Sequence, residues 1–179
     1  MTEKDRELAI SQLNGSREKF VAAVAGLSEA QLRFKSAPDR WSIAEVAEHI
    51  TVAEDLFFNT LTEKGLKSPL TPEKERKIKD EQLLTMVTNR STKFQAPEPL
   101  KPAGRWASMT EIMQEFDKRR ARTIEFVKTT DVDLRSHFVP FVANMEIDAL
   151  QQILFLSGHC ERHTAQINEV KADPNFPKK

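Results

Sequence analysis

The sequence is poor in the residues that build several common kinds of site. It has one cysteine, Cys160, which excludes a disulfide framework within one chain and suits a reducing compartment. Five glycines without a Gly-rich loop argue against phosphate-binding loops of the Walker or dinucleotide type. The N-terminus is charged and lacks the apolar segment of a secretory signal. The expectation is therefore a cytoplasmic protein.

Net charge and long apolar runs are also missing. The 27 basic and 27 acidic residues cancel, so we expect no electrostatic attraction to nucleic acid or to an anionic membrane. No apolar run approaches the ~18 residues that a membrane span needs. The length of 179 residues suits a single domain, 1–179, with a sizeable core.

What the sequence does contain is helical periodicity. Apolar residues recur at helical spacing in four long segments, over about 3–26, 42–64, 108–128 and 146–172. Capping residues stand at the start of three of these segments, at Thr2, Ser42 and Ser108. No segment shows a persuasive alternation of the kind that strands require. The sequence therefore predicts an all-α four-helix bundle.

The segment between the second and third long helices is the least regular part of the chain. Thr71 and Pro72 predict an N-cap followed by a broken helix that runs to about residue 90. Three prolines and a glycine over 97–104 indicate an extended linker. We interpret residues 66–107 as a long excursion between helices, placed where it could cover the mouth of a site. Residues 129–145, which include Pro140, are predicted to be a connector.

Two histidines in the last long segment are the strongest chemical signal. His159 and His163 are four residues apart, which places their Cβ atoms on one helix face about 5–6 Å apart, close enough to share one metal ion. His49 borders the apolar stripe of the second long segment and can meet them in a bundle. Three neutral imidazoles suit zinc, nickel, iron or copper and leave at least one coordination position open.

Simpler explanations remain open for these histidines. An H-x-x-x-H spacing often arises by chance on a helix, and a histidine beside an apolar stripe is commonly a boundary residue. Glu161 follows His159 by two positions and points roughly 160° around the helix, which disfavours a zincin protease mechanism. Cys160 is also rotated away from the metal-facing side. Gln152 and Gln166 are candidates for contacts that orient the histidines.

Two further residues have open roles. Arg120 falls between Phe116 and Ile124 at helical spacing and is therefore expected to point inward. Its usual role would be to pack its stem on apolar surface while the guanidinium reaches water, with anion binding as the alternative. His137 is expected to be a connector residue. No general base is evident, so the catalytic residues are left unassigned.

Two stretches resemble the motifs of a known family. Residues 38–50, PDRWSIAEVAEHI, are similar to the first motif of the DinB-like superfamily, also called the YfiT-like metalloenzymes, and residues 148–167, DALQQILFLSGHCERHTAQI, are similar to its last. Residues 100–106, LKPAGRW, also resemble this family. The resemblance implies a four-helix bundle in which His49, His159 and His163 bind a divalent metal, commonly zinc or nickel.

The resemblance implies an enzyme but leaves its reaction open. Some members resemble thiol transferases that use bacillithiol, mycothiol or glutathione, and others have been called metal-dependent hydrolases. The leading hypothesis is activation of a low-molecular-weight thiol for S-transfer to a small-molecule substrate. The alternatives are hydrolysis by a metal-bound water and a non-catalytic binding or stress-response module with a structural or vestigial metal. Analogy with such bundles also makes a homodimer plausible.

One stretch departs from the family pattern. Similar members often carry a His-Pro pair and a glycine in the connector before the last helix, whereas residues 139–144 here read VPFVAN. If that connector shapes the pocket, the substrate differs from theirs.

Overall fold

Six α-helices and a two-stranded antiparallel sheet make up the computed structural model, which describes residues 1–141 and 145–178. The helices are α1 (Glu3–Val24), α2 (Glu29–Arg33), α3 (Ile43–Glu63), α4 (Asp80–Thr88), α5 (Met109–Thr129) and α6 (Ala149–Lys171), and the strands are β1 (Phe138–Pro140) and β2 (Glu146–Asp148). Single 3₁₀ turns lie at Gly65–Lys67 and Glu98–Leu100. The four long helices confirm the predicted all-α bundle and its excursion between the second and third members.

The four long helices pack as a closed ring in the order α1, α6, α3, α5. Their inward faces carry the buried apolar residues that the periodicity predicted. Phe20 of α1 and Phe116 of α5, for example, meet edge to face with ring centroids 4.8 Å apart, and both are fully buried. Aromatic pairs of this kind add about 0.5–1.5 kcal/mol to the stabilisation from burial alone.

The direction of α5 relative to α3 explains the long excursion. Glu54 of α3 contacts Arg120 of α5, and further along both helices Phe58 packs against Phe126, so the two helices run parallel. A parallel neighbour can be reached only if the chain returns along the length of the bundle. A helix of about 21 residues is about 32 Å long, which residues 64–108 span with α4 and irregular segments.

Contacts along the other helix pairs complete the topology. α3 is antiparallel to α6, α1 is antiparallel to α5, and α1 is parallel to α6. The direction of α3 against α6 follows from the contacts His49–His163 and Phe57–Phe155. That of α1 against α5 follows from Phe20–Phe116 and Arg6–Val127. That of α1 against α6 follows from Ser16–Cys160 and Ala23–Lys171. The four helices therefore point up, down, down and up in chain order, so the bundle is not a simple up-and-down one.

The starts of three of the four long helices were predicted correctly. Thr2 accepts a hydrogen bond from the Asp5 N–H, Ser42 from the Glu45 N–H and Ser108 from the Glu111 N–H, each at 3.2–3.3 Å. These bonds satisfy backbone N–H groups that the first helical turn leaves unpaired. The caps therefore place α1, α3 and α5 within a residue or two of their predicted starts.

The predicted start of the last helix at residue 146 was wrong. Glu146–Asp148 forms β2 and pairs with β1, so that Val139 lies opposite Ile147. Asp148 is the N-cap of α6, because its carboxylate accepts from the Gln151 N–H at 2.7 Å while the Gln151 side chain accepts from the Asp148 N–H at 3.3 Å. The expectation of a chain without strands is corrected at this one connector. Val142, Ala143 and Asn144 lie outside the described residues.

The predicted helix start at Thr71 was also wrong. The Thr71 N–H donates to the Ser136 carbonyl at 2.8 Å, which ties this segment to the connector instead of starting a helix. The helix starts later, where the Lys79 N–H donates to the Gln82 side chain at 3.0 Å.

Across residues 1–141 and 145–178, no helix has the length and apolar character needed to cross a bilayer.

Candidate metal centre

The three predicted histidines meet between α3 and α6. The His49 Nε2 atom lies 3.2 Å from the His159 Nε2 and 3.1 Å from the His163 Nε2. All three ligand atoms lie within 4.8 Å of one another. His49 is buried at 3% exposure, while His159 and His163 are half-buried. The antiparallel packing of α3 on α6 therefore brings together residues that are more than a hundred positions apart.

The outer nitrogens of two rings face hydrogen-bond acceptors. The Nδ1 of His49 lies 2.8 Å from the Leu100 carbonyl oxygen, and the Nδ1 of His163 lies 2.8 Å from the Gln166 Oε1. The Arg90 guanidinium, 3.5 Å from the same Gln166 oxygen, can only donate and so supports that orientation of the amide. Both Nδ1 atoms therefore carry the proton, and both Nε2 atoms present a lone pair.

The spacing of the Nε2 atoms fits a bound cation. Two nitrogens that bind a tetrahedral zinc ion at about 2.0–2.1 Å are about 3.3–3.4 Å apart, close to the separations of 3.1 and 3.2 Å seen here. Lone pairs that converge at such distances repel each other unless a positive charge lies between them. The donor set of this site therefore matches a divalent ion that accepts imidazole ligands.

Burial keeps the three rings uncharged at neutral pH. Burial, reinforced by the neighbouring His49, lowers the pKa of His163 to about 3, against the opposing effect of its bond to Gln166. Burial and then His163 and His49 hold the pKa of His159 well below its usual range. Burial also lowers the pKa of His49, although the Leu100 carbonyl partly offsets it. Neutral imidazole is the form that ligates metals.

Aromatic side chains surround the histidines. The ring centroid of Trp41 lies 5.0 Å from that of His49, and those of Phe57 and Phe155 lie 5.5 and 5.7 Å from that of His159. This apolar surrounding limits water and lowers the local dielectric, which strengthens the interaction of a bound charge with its neighbours.

The excursion packs next to this region, and its role as a cover for the mouth of the site stays a prediction. α4 packs on α6 at Gly158, where an added Cβ would lie 3.0 Å from the Val87 Cγ1. A larger residue at Gly158 would push α4 away from the turn that carries His159. The 3₁₀ turn that ends at Leu100 approaches from the other side and bonds His49. Two separate parts of the excursion therefore contact the histidine cluster.

The neighbours of the histidines on α6 face elsewhere. The thiol of Cys160 is fully buried against α1, with its Sγ 3.5 Å from the Ser16 carbonyl, and burial raises the pKa of that thiol to about 11. Glu161 pairs with Lys19 of α1 at 2.7 Å. Among the described residues, no carboxylate or thiol joins the three nitrogens within 4.8 Å. An ion bound there would keep at least one position open to a small molecule.

The remaining candidates lie away from the cluster. Gln152 lies against Gly65, where its Oε1 is buried without a hydrogen-bond partner in the described ranges. His137 is buried in the connector with its Nδ1 3.0 Å from the Ser68 carbonyl. The Arg120 guanidinium does not reach water, because it is fully buried against Glu54.

The sequence did not point to Leu100, although its carbonyl orients His49. A backbone acceptor leaves no pattern in side-chain chemistry, so only the tertiary structure reveals it. The one available signal was the LKPAGRW stretch that resembles the family.

Comparison with known proteins agrees with this architecture. Residues 12–167 match the family model of the DinB superfamily, and the chain belongs to that family. It is 26% identical over 162 residues to the uncharacterized protein YuaE of Bacillus subtilis (strain 168), an alignment that covers 90% of this chain and 96% of YuaE. Its structure is similar to that of YfiT from Bacillus subtilis, with a TM-score of 0.63 and 14% identity over 99% of this chain and 91% of YfiT.

The likeness to YfiT concerns the fold. YfiT is described as a probable metal-dependent hydrolase with an unusual four-helix bundle topology. The up, down, down, up order of the long helices here also departs from the usual bundle. Fold similarity at this level of identity does not carry an activity from one protein to another.

Proposed function

We propose that the protein is a metal-dependent enzyme in which His49, His159 and His163 hold a divalent ion, zinc or nickel, that activates a small nucleophile. The observation that carries this proposal is the convergence of three histidine Nε2 atoms with no fourth protein ligand among the described residues. When bound, such an ion deprotonates a coordinating thiol outright and lowers the pKa of a coordinated water to about 7.

A low-molecular-weight thiol is the nucleophile that this site suits best. The side chains against the histidine rings are aromatic, and the nearby carboxylate of Glu54 is held by Arg120. Cleavage of an amide or ester usually needs a group that shuttles protons, whereas a thiol that is already ionised needs no general base. In net terms the thiol sulfur bonds to an electrophilic carbon of a small substrate, the leaving group departs with its bonding pair, and the thiol proton goes to solvent.

The chain's own residues would position these reactants. The Leu100 carbonyl and the Gln166 amide keep the Nε2 atoms of His49 and His163 unprotonated and aimed at one point. Trp41, Phe57 and Phe155 would exclude water and offer apolar contact to a substrate. Cys160 is not the reacting thiol, because it is buried against α1 on the far side of the helix.

Hydrolysis is the second candidate. It is supported by the similarity in fold to YfiT, described as a probable metal-dependent hydrolase. The same histidines would bind the ion, with water in place of the thiol as the nucleophile.

A homodimer and a cytoplasmic location are further proposals. Light scattering would test the first and cell fractionation the second.

The two reactions can be separated with one set of preparations. Protein made without a His tag is loaded with zinc or nickel and assayed with bacillithiol, mycothiol or glutathione plus an electrophilic alkyl halide, and separately with a panel of esters and amides. We expect metal-dependent thioether formation that His159→Ala abolishes and His137→Ala leaves intact. Ester or amide cleavage without thioether formation would instead support the hydrolase. Stoichiometric metal without either reaction would favour a non-catalytic module.

A further inference from the structure

Glu48 is a buried carboxylate next to His49 that faces away from the histidine cluster. Its side chain is 5% exposed and accepts hydrogen bonds from the backbone N–H groups of Ala103 at 2.8 Å, Gly104 at 3.0 Å and Arg105 at 3.4 Å. The Arg105 guanidinium adds a bond of 2.6 Å to the same carboxylate. One side chain of α3 therefore holds a complete turn of the excursion.

The turn is shaped for this carboxylate. Gly104 has a φ of 69°, a conformation that favours glycine and lets successive N–H groups point to one side. A buried carboxylate that lost these donors would be strongly destabilised, so the turn and Glu48 fix each other's position.

The same loop also carries the acceptor for His49. Leu100 lies only three residues before Ala103, and its carbonyl accepts the His49 Nδ1–H at 2.8 Å. Glu48 and His49 are adjacent on α3, so their side chains leave the helix about 100° apart. Loop 100–105 therefore contacts two neighbouring side chains of one turn of α3. Glu48 binds the end of the loop at residues 103–105, and the Leu100 carbonyl at the other end binds His49.

We propose that Glu48 is a positioning residue of the metal centre, which anchors loop 100–105 so that the Leu100 carbonyl holds His49 in its metal-binding tautomer and direction. This inference rests on the proposed metal site and adds a residue that touches neither the metal nor the substrate. Outer partners of this kind typically contribute about 10–100-fold to metal affinity.

Glu48→Gln tests this linkage, because the amide places an N–H group against the N–H donors of the turn. Zinc affinity is measured by competition with a chelating dye, and the His Nδ1–H signals are followed by NMR in the metal-free protein. We expect about tenfold weaker zinc binding and faster solvent exchange of the His49 Nδ1–H. The His163 Nδ1–H, held by Gln166, should be unchanged and shows that the bundle is folded.

Glu45→Gln is the matched control. Glu45 lies one turn earlier on α3, and its carboxylate accepts from the Ser42 N–H and pairs with Lys35, each at 2.7 Å. This variant removes the same charge from the same helix without touching loop 100–105, so we expect wild-type zinc affinity. Arg105→Ala keeps the backbone donors, and should weaken zinc binding less than Glu48→Gln does. The double variant should lose less than the product of the two single effects, because both act on one clamp.

Two outcomes would overturn the inference. One is wild-type zinc affinity in both Glu48→Gln and Arg105→Ala, and the other is an unchanged His49 Nδ1–H signal in folded Glu48→Gln protein. If Glu48→Gln does not fold, Arg105→Ala carries the same two measurements. Zinc binding without turnover in the wild-type protein would contradict the proposed function and leave this inference standing.

Discussion

Arg120 of α5 and Glu54 of α3 form an ion pair inside the bundle, with exposures of 0% and 2% for their side chains. The Arg120 Nε donates to Glu54 at 3.1 Å, and its Nη1 donates to the Ser16 hydroxyl at 2.7 Å and to the Leu13 carbonyl. The pair therefore links three of the four long helices. Each of the three guanidinium nitrogens donates to a partner inside the bundle, so anion binding at Arg120 is not supported.

Breaking this pair should strongly destabilise the fold. Glu54→Gln leaves the Arg120 charge buried without its partner, and we expect a loss of about 3–5 kcal/mol in the free energy of unfolding. Replacing both residues, as Glu54→Leu with Arg120→Met, should recover most of that loss. Urea denaturation measures both. Asp55→Asn is the control, because Asp55 pairs with Arg122 at 2.9 Å near the surface and should change stability by about 1 kcal/mol or less.

His159 should be required for metal binding. In His159→Ala, two of three ligands remain, and we expect the metal content of tag-free protein to fall from about one ion per chain to near zero. His137→Ala should keep full occupancy, because His137 bonds Ser68 in the connector. Elemental analysis by mass spectrometry after dialysis gives both values. Full occupancy in His159→Ala would contradict the site.

Metal should also stabilise the fold against heat. The ion would relieve the repulsion of the converging Nε2 lone pairs and would bind the folded state alone. At a metal concentration about 100 times the Kd, linkage adds about 2.7 kcal/mol, which corresponds to about 5–11 °C in Tm for a domain of this size. Scanning calorimetry with added zinc and with chelator measures the shift. A Tm that responds equally in the wild type and in His159→Ala would show that zinc acts elsewhere.

Gln166 should raise the zinc affinity of the site by orienting His163. Gln166→Leu keeps the volume but removes the acceptor for the Nδ1–H, so we expect about tenfold weaker zinc binding. Gln166→Glu keeps an acceptor there and should retain wild-type affinity. Asn168→Ala, an exposed site on the same helix, serves as the control. Equal affinities for Gln166→Leu and Gln166→Glu would mean that the contact does not orient His163.

Asp5 should contribute to acid sensitivity. Burial would raise its pKa, but hydrogen bonds from Arg135 and Thr2 lower it from 3.8 to about 2. A pKa that is lower in the folded state gives stabilisation that is present above about pH 4 and is lost as the pH falls through 3.8 toward 2. Because Asp5 is partly exposed, we expect Asp5→Asn to lose about 1 kcal/mol at pH 7.

The difference between wild type and Asp5→Asn should shrink as the pH falls from 4 toward 2, since the wild-type carboxylate becomes protonated there. Urea denaturation across this range measures it. Glu7→Gln, an exposed site on the same helix, is the control. A difference that stays constant with pH would contradict the lowered pKa of Asp5, because the bonds from both Arg135 and Thr2 favour the ionised carboxylate.

The helix starts could be predicted because their signals lie within a few residues of one another along the chain. The capping residues Thr2, Ser42 and Ser108 located three helices correctly, because a cap and its partner lie within one turn. The error at Glu146 has the opposite cause. The neighbouring Ile147 continues the apolar period of α6, but the pairing of Glu146 with Pro140 across the connector makes Glu146 a strand residue instead.

The sequence by itself determined the four amphipathic helices, the face shared by His159 and His163, and the motifs of the family. These features depend on residues a few positions apart. Only the tertiary structure decided that α3 and α5 are parallel, that Glu54 neutralises Arg120, and that the Leu100 carbonyl fixes His49. Each of these contacts joins residues more than fifty positions apart, and one of them uses a backbone atom that every residue shares. Side-chain patterns along the chain carry no record of such pairings.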